Sequence, residues 1–139
     1  MGNEPDITYP FLFNYIDGQQ WRSSAMVKKL IAEHFTTAAG GIPGNDDTGT
    51  LSAWLVYSML GFYPLSPGNM DYALFQPSFN KVTLHLDQNY FPGKQLVIKT
   101  DLTADKKALP MFNQQQLQRA FISHQQLVNG GTLQFPKVQ

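Results

Sequence analysis

The 139-residue sequence contains no cysteine. That absence removes disulfides and thiolate metal sites and leaves the redox compartment undetermined. An excess of either charge is also missing: ten Lys and Arg balance ten Asp and Glu. Nothing therefore favours nucleic acid or an anionic membrane as a partner. Charge of any kind is scarce, at 14% of residues, against about 25% in an average globular protein. No apolar run approaches the length of a membrane span, and no signal peptide opens the chain. The second absence carries no weight if the natural N-terminus lies upstream, and the opening Met-Gly-Asn-Glu-Pro reads as a cut into a longer chain. There is no internal repeat, and residues 114–116, three glutamines, are too short a run to count as low complexity.

What is present suits one domain with a sizeable core: 42% of residues are hydrophobic and 13% aromatic. High aromatic content beside low charge implies surface that something covers, either a partner or the rest of a larger protein.

The chain is organised around residues 40–49, Gly-Gly-Ile-Pro-Gly-Asn-Asp-Asp-Thr-Gly, which lie between two helical patterns. Four glycines and a proline in ten residues demand sharp turning or close backbone approach. The adjacent carboxylates Asp46 and Asp47 repel each other unless a cation, a proton donor or a substrate hydroxyl answers them. Two readings stand: a chemical site, or a solvated turn whose Asp and Asn side chains cap a helix.

Before this loop, residues 10–16 predict a short buried helix, with Pro10 tolerated at its start and Asp17-Gly18 ending it. Ser23 and Ser24 predict the caps of a second helix, whose stripe is Met26, Val27, Leu30, Ile31 and His34. His34 reads as a last-turn residue near the negative end of that helix. After the loop, residues 50–60 predict a third helix, apolar on most faces and deeply buried, capped by Thr48 or Thr50 and closed by Gly61. Its N-terminus faces Asp46 and Asp47, so its N–H groups and dipole hold both carboxylates ionised. Trp54 reads as helix core.

Past the prolines at 64 and 67 the period switches from helix to strand. Residues 71–75, 81–87, 94–100, 110–117 and 132–138 predict strands, with Val82, Leu84 and Leu86 on one face of the second and Leu133 and Phe135 facing inward in the last. Ser123 caps a helical turn over 124–128 that Gly130-Gly131 closes. His85 falls on a solvated strand face and His124 at a helix start. Helices in the first half and strands in the second predict an α+β fold, with a boundary near residues 64–67 and segments 1–66 and 67–139.

Two acidic clusters bear on chemistry, Gly2-Asn3-Glu4-Pro5-Asp6 and Gly44-Asn45-Asp46-Asp47. Neither matches an EF-hand, which needs a glycine at its sixth position and a bidentate Glu at its twelfth. Both can still offer hard oxygens to calcium in an irregular site. No serine sits in a nucleophile elbow.

These same residues carry a resemblance. Residues 2–6 with Tyr9-Pro10-Phe11-Leu12-Phe13-Asn14-Tyr15, residues 41–49 with Ser52-Ala53-Trp54 and Gly61-Phe62-Tyr63-Pro64, and the tail motifs at 79–86, 123–124 and 130–133 resemble glycoside hydrolase family 92 over essentially the whole chain. That is a family of calcium-dependent exo-acting α-mannosidases abundant in gut Bacteroidetes. The resemblance implies the C-terminal portion of an inverting α-mannosidase: the last helices of an (α/α)6 barrel in residues 1–66, then an antiparallel β layer. It implies Asp47 as general base, Asp46 as a neighbour that tunes or shares the proton, and Asn45 as an orienting amide in the sugar subsite. It places Asn3 and Glu4 by both sugar and calcium. The implied substrate is an α-mannoside glycan, and the implied location periplasmic or secreted. The family's catalytic acid has no match in this chain, so the fragment is expected to be inactive alone. The alternative is a stand-alone carbohydrate-binding or structural module. Barrel helices taken out of context are expected to form a homo-oligomer that covers Phe11, Phe13, Leu55 and Met59.

Overall fold

The computed structural model describes residues 2–103, 105 and 107–137. The chain opens with 3-10 turns, Glu4–Asp6 and Tyr9–Tyr15, the second with proline in its first turn. Two α-helices follow, α1 (Gln20–His34) and α2 (Thr50–Leu60). Strands β1 (Phe62–Pro64), β2 (Asp71–Leu74), β3 (Lys81–His85), β4 (Gln95–Leu102), β5 (Met111–Phe112), β6 (Gln115–Gln116) and β7 (Phe121–Ser123) come next, then α3 (His124–Val128) and β8 (Gly131–Pro136). This is the α+β arrangement that the segregation of patterns predicts.

The strands form two sheets. One has the order β1-β2-β7, antiparallel throughout, and the other the order β3-β4-β8-β5-β6. The second is mixed, because β4 and β8 pair in parallel from Leu96 opposite Gly131 to Leu102 opposite Pro136. The parallel pair departs from the expected antiparallel layer. It arises because a long stretch of chain, including β7 and α3, carries the backbone over before β8 enters beside β4.

The three-stranded sheet separates two cores. Successive residues of a strand point to opposite faces. Tyr63, Ala73 and Phe121 join Ile7, Phe11, Val27, Leu51 and Trp54 on the helical side. Their neighbours Phe62, Leu74 and Ile122 join Leu96, Ile98, Leu133 and Phe135 on the other. Asn14 fastens the 3-10 helix to this partition, its amide donating to the carbonyls of Leu74 and Ala120 at 2.9 and 3.0 Å. α2 ends at Gly61, whose φ of 91° is left-handed and whose N–H donates to Tyr57 O at 3.0 Å. A Cβ there would also stand 2.8 Å from Phe75 O, so glycine serves both the cap and the return of the chain.

Several expectations are corrected. α1 starts at Gln20, ahead of the serines, and among the described residues its N-cap Gln19 makes no side-chain capping hydrogen bond. Ser23 is inside the helix and fully buried, and the Ser24 hydroxyl accepts from Gln76 N at 2.9 Å. α2 is buried on one side only: Val56 is 57% exposed. Its N-cap is Gly49 at φ 88°, so neither Thr48 nor Thr50 occupies that position. The predicted strand over 110–117 is a hairpin, β5 and β6, turned by Asn113 and Gln114 at φ 49° and 67°. Two left-handed residues in a row are the requirement of a tight two-residue hairpin turn. Val138, at the end of the last predicted strand, lies outside the described residues. Phe11 is sealed in the helical core and is not open to a second subunit. In the same N-terminal segment Tyr9, Leu12, Tyr15 and Ile16 are exposed.

Candidate active site

The N-terminus of α2 gathers both acidic segments that the sequence sets forty residues apart. Thr50 and Trp54 lie one turn apart, on one face of the helix. Trp54 is fully buried, and its indole N–H donates to Ile7 O at 2.9 Å. Thr50 Oγ1 lies 3.4 Å from Glu4 Oε1 and donates to Asp47 O at 2.7 Å. Below them the backbones touch: a Cβ on Gly44, whose φ is 68°, would overlap the Gly2 carbonyl oxygen. Only glycine admits this approach. Gly41 is similarly confined by the carbonyls of Thr36 and Ala38, and its own carbonyl accepts from Thr36 N at 2.9 Å. Two of the loop's four glycines, Gly41 and Gly44, thus serve close backbone approach.

The two aspartates have separate fates. Asp46 Oδ1 accepts from Ser52 N at 2.8 Å and Oδ2 from Ser52 Oγ at 2.7 Å. Ser52 is the third helical residue, so Asp46 satisfies one of the helix's orphan N–H groups from across the loop. The Ser52 hydroxyl first, and then its N–H, holds the Asp46 carboxyl below its ordinary value. The capping alternative therefore applies to Asp46. Asp47 is exposed, and among the described residues its carboxylate has no hydrogen-bond or ion-pair partner. It stands at φ 43°, followed by Thr48 at 62° and Gly49 at 88°. Three successive left-handed residues, two of them not glycine, store backbone strain. The strain is held by Thr50 N and Oγ1 on Asp47 O, by Leu51 N on Asp46 O at 3.4 Å and by the Asp46–Ser52 pair.

Asn3 and Glu4 are exposed beside this loop, and Asn45 is exposed within it. The sequence did not mark Ser52 as a partner of Asp46. An aspartate just ahead of a helix with serine in the first turn was the available signal. Among the described residues no three His, Cys, Asp or Glu side chains gather into a metal-binding group. Calcium takes about six to eight oxygens, and Asn3 with Glu4 falls well short, so these residues alone do not fit a calcium shell. His34 ends α1 as expected. His124 starts α3, its Nδ1 3.1 Å from the Tyr72 hydroxyl.

The family model for the glycosyl hydrolase family 92 catalytic domain matches residues 1–136. A curated relative from Arthroderma benhamiae, described as an uncharacterized secreted glycosidase, is 29% identical over 140 residues, spanning 96% of this chain and 17% of its own. An inverting family 92 mannosidase from Bacteroides thetaiotaomicron superposes with a TM-score of 0.81 at 34% identity, over 98% of this chain and 18% of its own. A family 92 α-mannosidase from the same organism, solved with mannoimidazole, superposes at 0.83 over 99% of this chain and 18% of its own, with 23% identity, and shares the fold. The chain thus spans less than a fifth of the length of these relatives. No helix among the described residues is long and apolar enough to cross a membrane.

Proposed function

The chain belongs to glycosyl hydrolase family 92, and on that premise we propose that it carries the water-activating half of an inverting α-mannosidase site. Inversion uses a general acid on the leaving oxygen and a general base on a water at the opposite ring face, the carboxyls about 6.5–9.5 Å apart. Asp47 is the base, and Asn45, Asn3 and Glu4 orient the sugar. Asp46 holds the loop on α2 and sets the charge beside the base.

One observation carries this division of labour: both Asp46 oxygens are engaged by Ser52, while the Asp47 carboxylate is exposed and unpaired among the described residues. A base must be able to reach a water, and a capping carboxylate is already spent. The general acid comes from the longer enzyme, as do most ligands of any calcium ion; Asn3 and Glu4 offer it two side chains. The substrate is a terminal α-mannoside of a glycan, and the location is periplasmic or secreted, in line with the secreted description of the fungal relative.

The test has two arms. The 139-residue chain incubated with an aryl α-mannoside and calcium should turn over at a negligible rate. Grafted in place of the matching segment of the inverting Bacteroides mannosidase, it should support hydrolysis, and Asp47→Ala should lower kcat by about 10²–10⁴-fold, the usual contribution of a general base. Full-speed hydrolysis by the isolated chain would refute the half-site reading, and an Asp47→Ala graft that keeps its rate would refute the assignment of the base.

A further inference from the structure

The turn that leads into α2 is closed twice at one carbonyl. Asp47 O accepts from Thr50 N at 3.3 Å and from Thr50 Oγ1 at 2.7 Å. The residues between, Thr48 and Gly49, stand at φ 62° and 88°, and Gly49 has a ψ of 9°. Two central residues of positive φ, with a bond from the first carbonyl to the fourth N–H, make a type I′ turn. Such a turn favours asparagine, aspartate or glycine at its first central position. A β-branched threonine there is a backbone outlier. The backbone bond, at 3.3 Å, is longer than the usual range of about 2.7–3.2 Å. The hydroxyl is therefore the firmer hold on a turn that its own sequence disfavours.

This hold bears on Asp47 because no side-chain contact aims it. Among the described residues its carboxylate has no hydrogen-bond or ion-pair partner. Its direction follows from its backbone: a φ of 43° and the plane of the 47–48 peptide, whose oxygen Thr50 grips. Asp46 differs, since Ser52 fixes its carboxylate directly. Thr50 also meets Glu4. A hydroxyl has one proton to give, and Asp47 O at 2.7 Å competes for it with Glu4 Oε1 at 3.4 Å. The shorter distance assigns the proton to Asp47.

We infer that Thr50 is a positioning residue for the water-activating carboxylate: its hydroxyl locks the 47–48 peptide and so aims Asp47. The inference rests on the reading of Asp47 as the base. Thr50 acts through the backbone and takes no proton from the water itself. A catalytic group misplaced by about 1 Å can cost about 10²-fold in rate. An interaction equal in ground and transition states changes KM and leaves kcat. The two contacts of Thr50 therefore predict different kinetics, kcat through Asp47 and KM through Glu4.

The experiment compares Thr50→Val, which puts a methyl of similar size in place of the hydroxyl and keeps the backbone N–H, with Thr50→Ser, which keeps the hydroxyl. In the Bacteroides mannosidase graft, Thr50→Val should lower kcat about 10–10²-fold with KM within about twofold of the parent, and Thr50→Ser should keep the parent rate. In the 139-residue chain, NMR order parameters at residues 47–49 should fall from about 0.85 toward about 0.6 in Thr50→Val and not in Thr50→Ser. Those of α2 should stay at parent values in both. An unchanged kcat in Thr50→Val would overturn the inference, as would Thr50→Ser as slow as Thr50→Val. A rise in KM at constant kcat would overturn it too, by assigning the hydroxyl to Glu4. The Asp47→Ala graft separates the two readings. If it keeps its rate, the base assignment falls and the role of Thr50 falls with it. If it collapses while Thr50→Val does not, only the role of Thr50 falls. Should the parent graft be inactive, unchanged order at 47–49 in Thr50→Val overturns the inference, and a local loss that serine restores upholds it.

Discussion

Replacing Gly44 with alanine tests the claim that the candidate site is assembled from two distant segments. Gly18 provides a matched control. The two glycines have nearly equal backbone angles, φ 68° at Gly44 and 71° at Gly18. Among the described residues a Cβ on Gly18 meets nothing within 4 Å, whereas one on Gly44 overlaps the Gly2 carbonyl. Both substitutions incur the left-handed penalty, about 1–2 kcal/mol. Gly44→Ala alone must also push the Gly2–Glu4 segment off the loop or distort the loop to keep it. The added cost is bounded by what that segment gives up, chiefly the Glu4–Thr50 contact and local turn hydrogen bonds, together about 1–2 kcal/mol. In urea, with a slope of about 2 kcal/mol/M, that separates the two midpoints by roughly 0.5–1 M. Amide exchange should rise at residues 3–7 in Gly44→Ala and not in Gly18→Ala. Equal midpoint shifts and equal exchange in the two variants would show that the N-terminal segment does not dock on the loop, and the composite site would fall with it.

Acid stability should depend on Asp46. Its folded pKa lies below the ordinary value of 3.8, so its contribution is fully present above that pH and is lost as pH falls through the depressed folded value. Thermal melts from pH 7 to pH 2 should therefore show a shallower acid limb in Asp46→Asn than in the parent, and parallel limbs would refute the Ser52 pairing. Among the described residues the hydroxyls of Ser23 and Ser58 are buried with no partner. Ser23→Ala and Ser58→Ala should each be neutral or stabilising by up to about 1 kcal/mol in urea melts. A loss of that size in either variant would mean that its hydroxyl has a partner, such as a buried water.

Periodicity alone placed α2 at residues 50–60, its stop at Gly61 and the capped turn at Ser123, because each is governed by chemistry within a few residues. The start of α1 escaped it. Serines that look like caps are interior residues there, one turned into the core and one bonded to Gln76, and tertiary packing overrode the local preference. The hairpin at 111–116 was missed because Asn-Gln is a weaker turn signal than Asn-Gly. The same limit applies at the site. The chain's composition already showed that the glycine-rich loop must turn tightly and that two carboxylates there need an answer, and its motifs carried the family. Only the fold decided which aspartate is bound and which is open, because Ser52 reaches Asp46 only after α2 forms. Only the fold could bring Glu4 to Thr50 and Gly2 to Gly44. Contacts across forty residues depend on the path of the backbone, which short-range pattern does not encode.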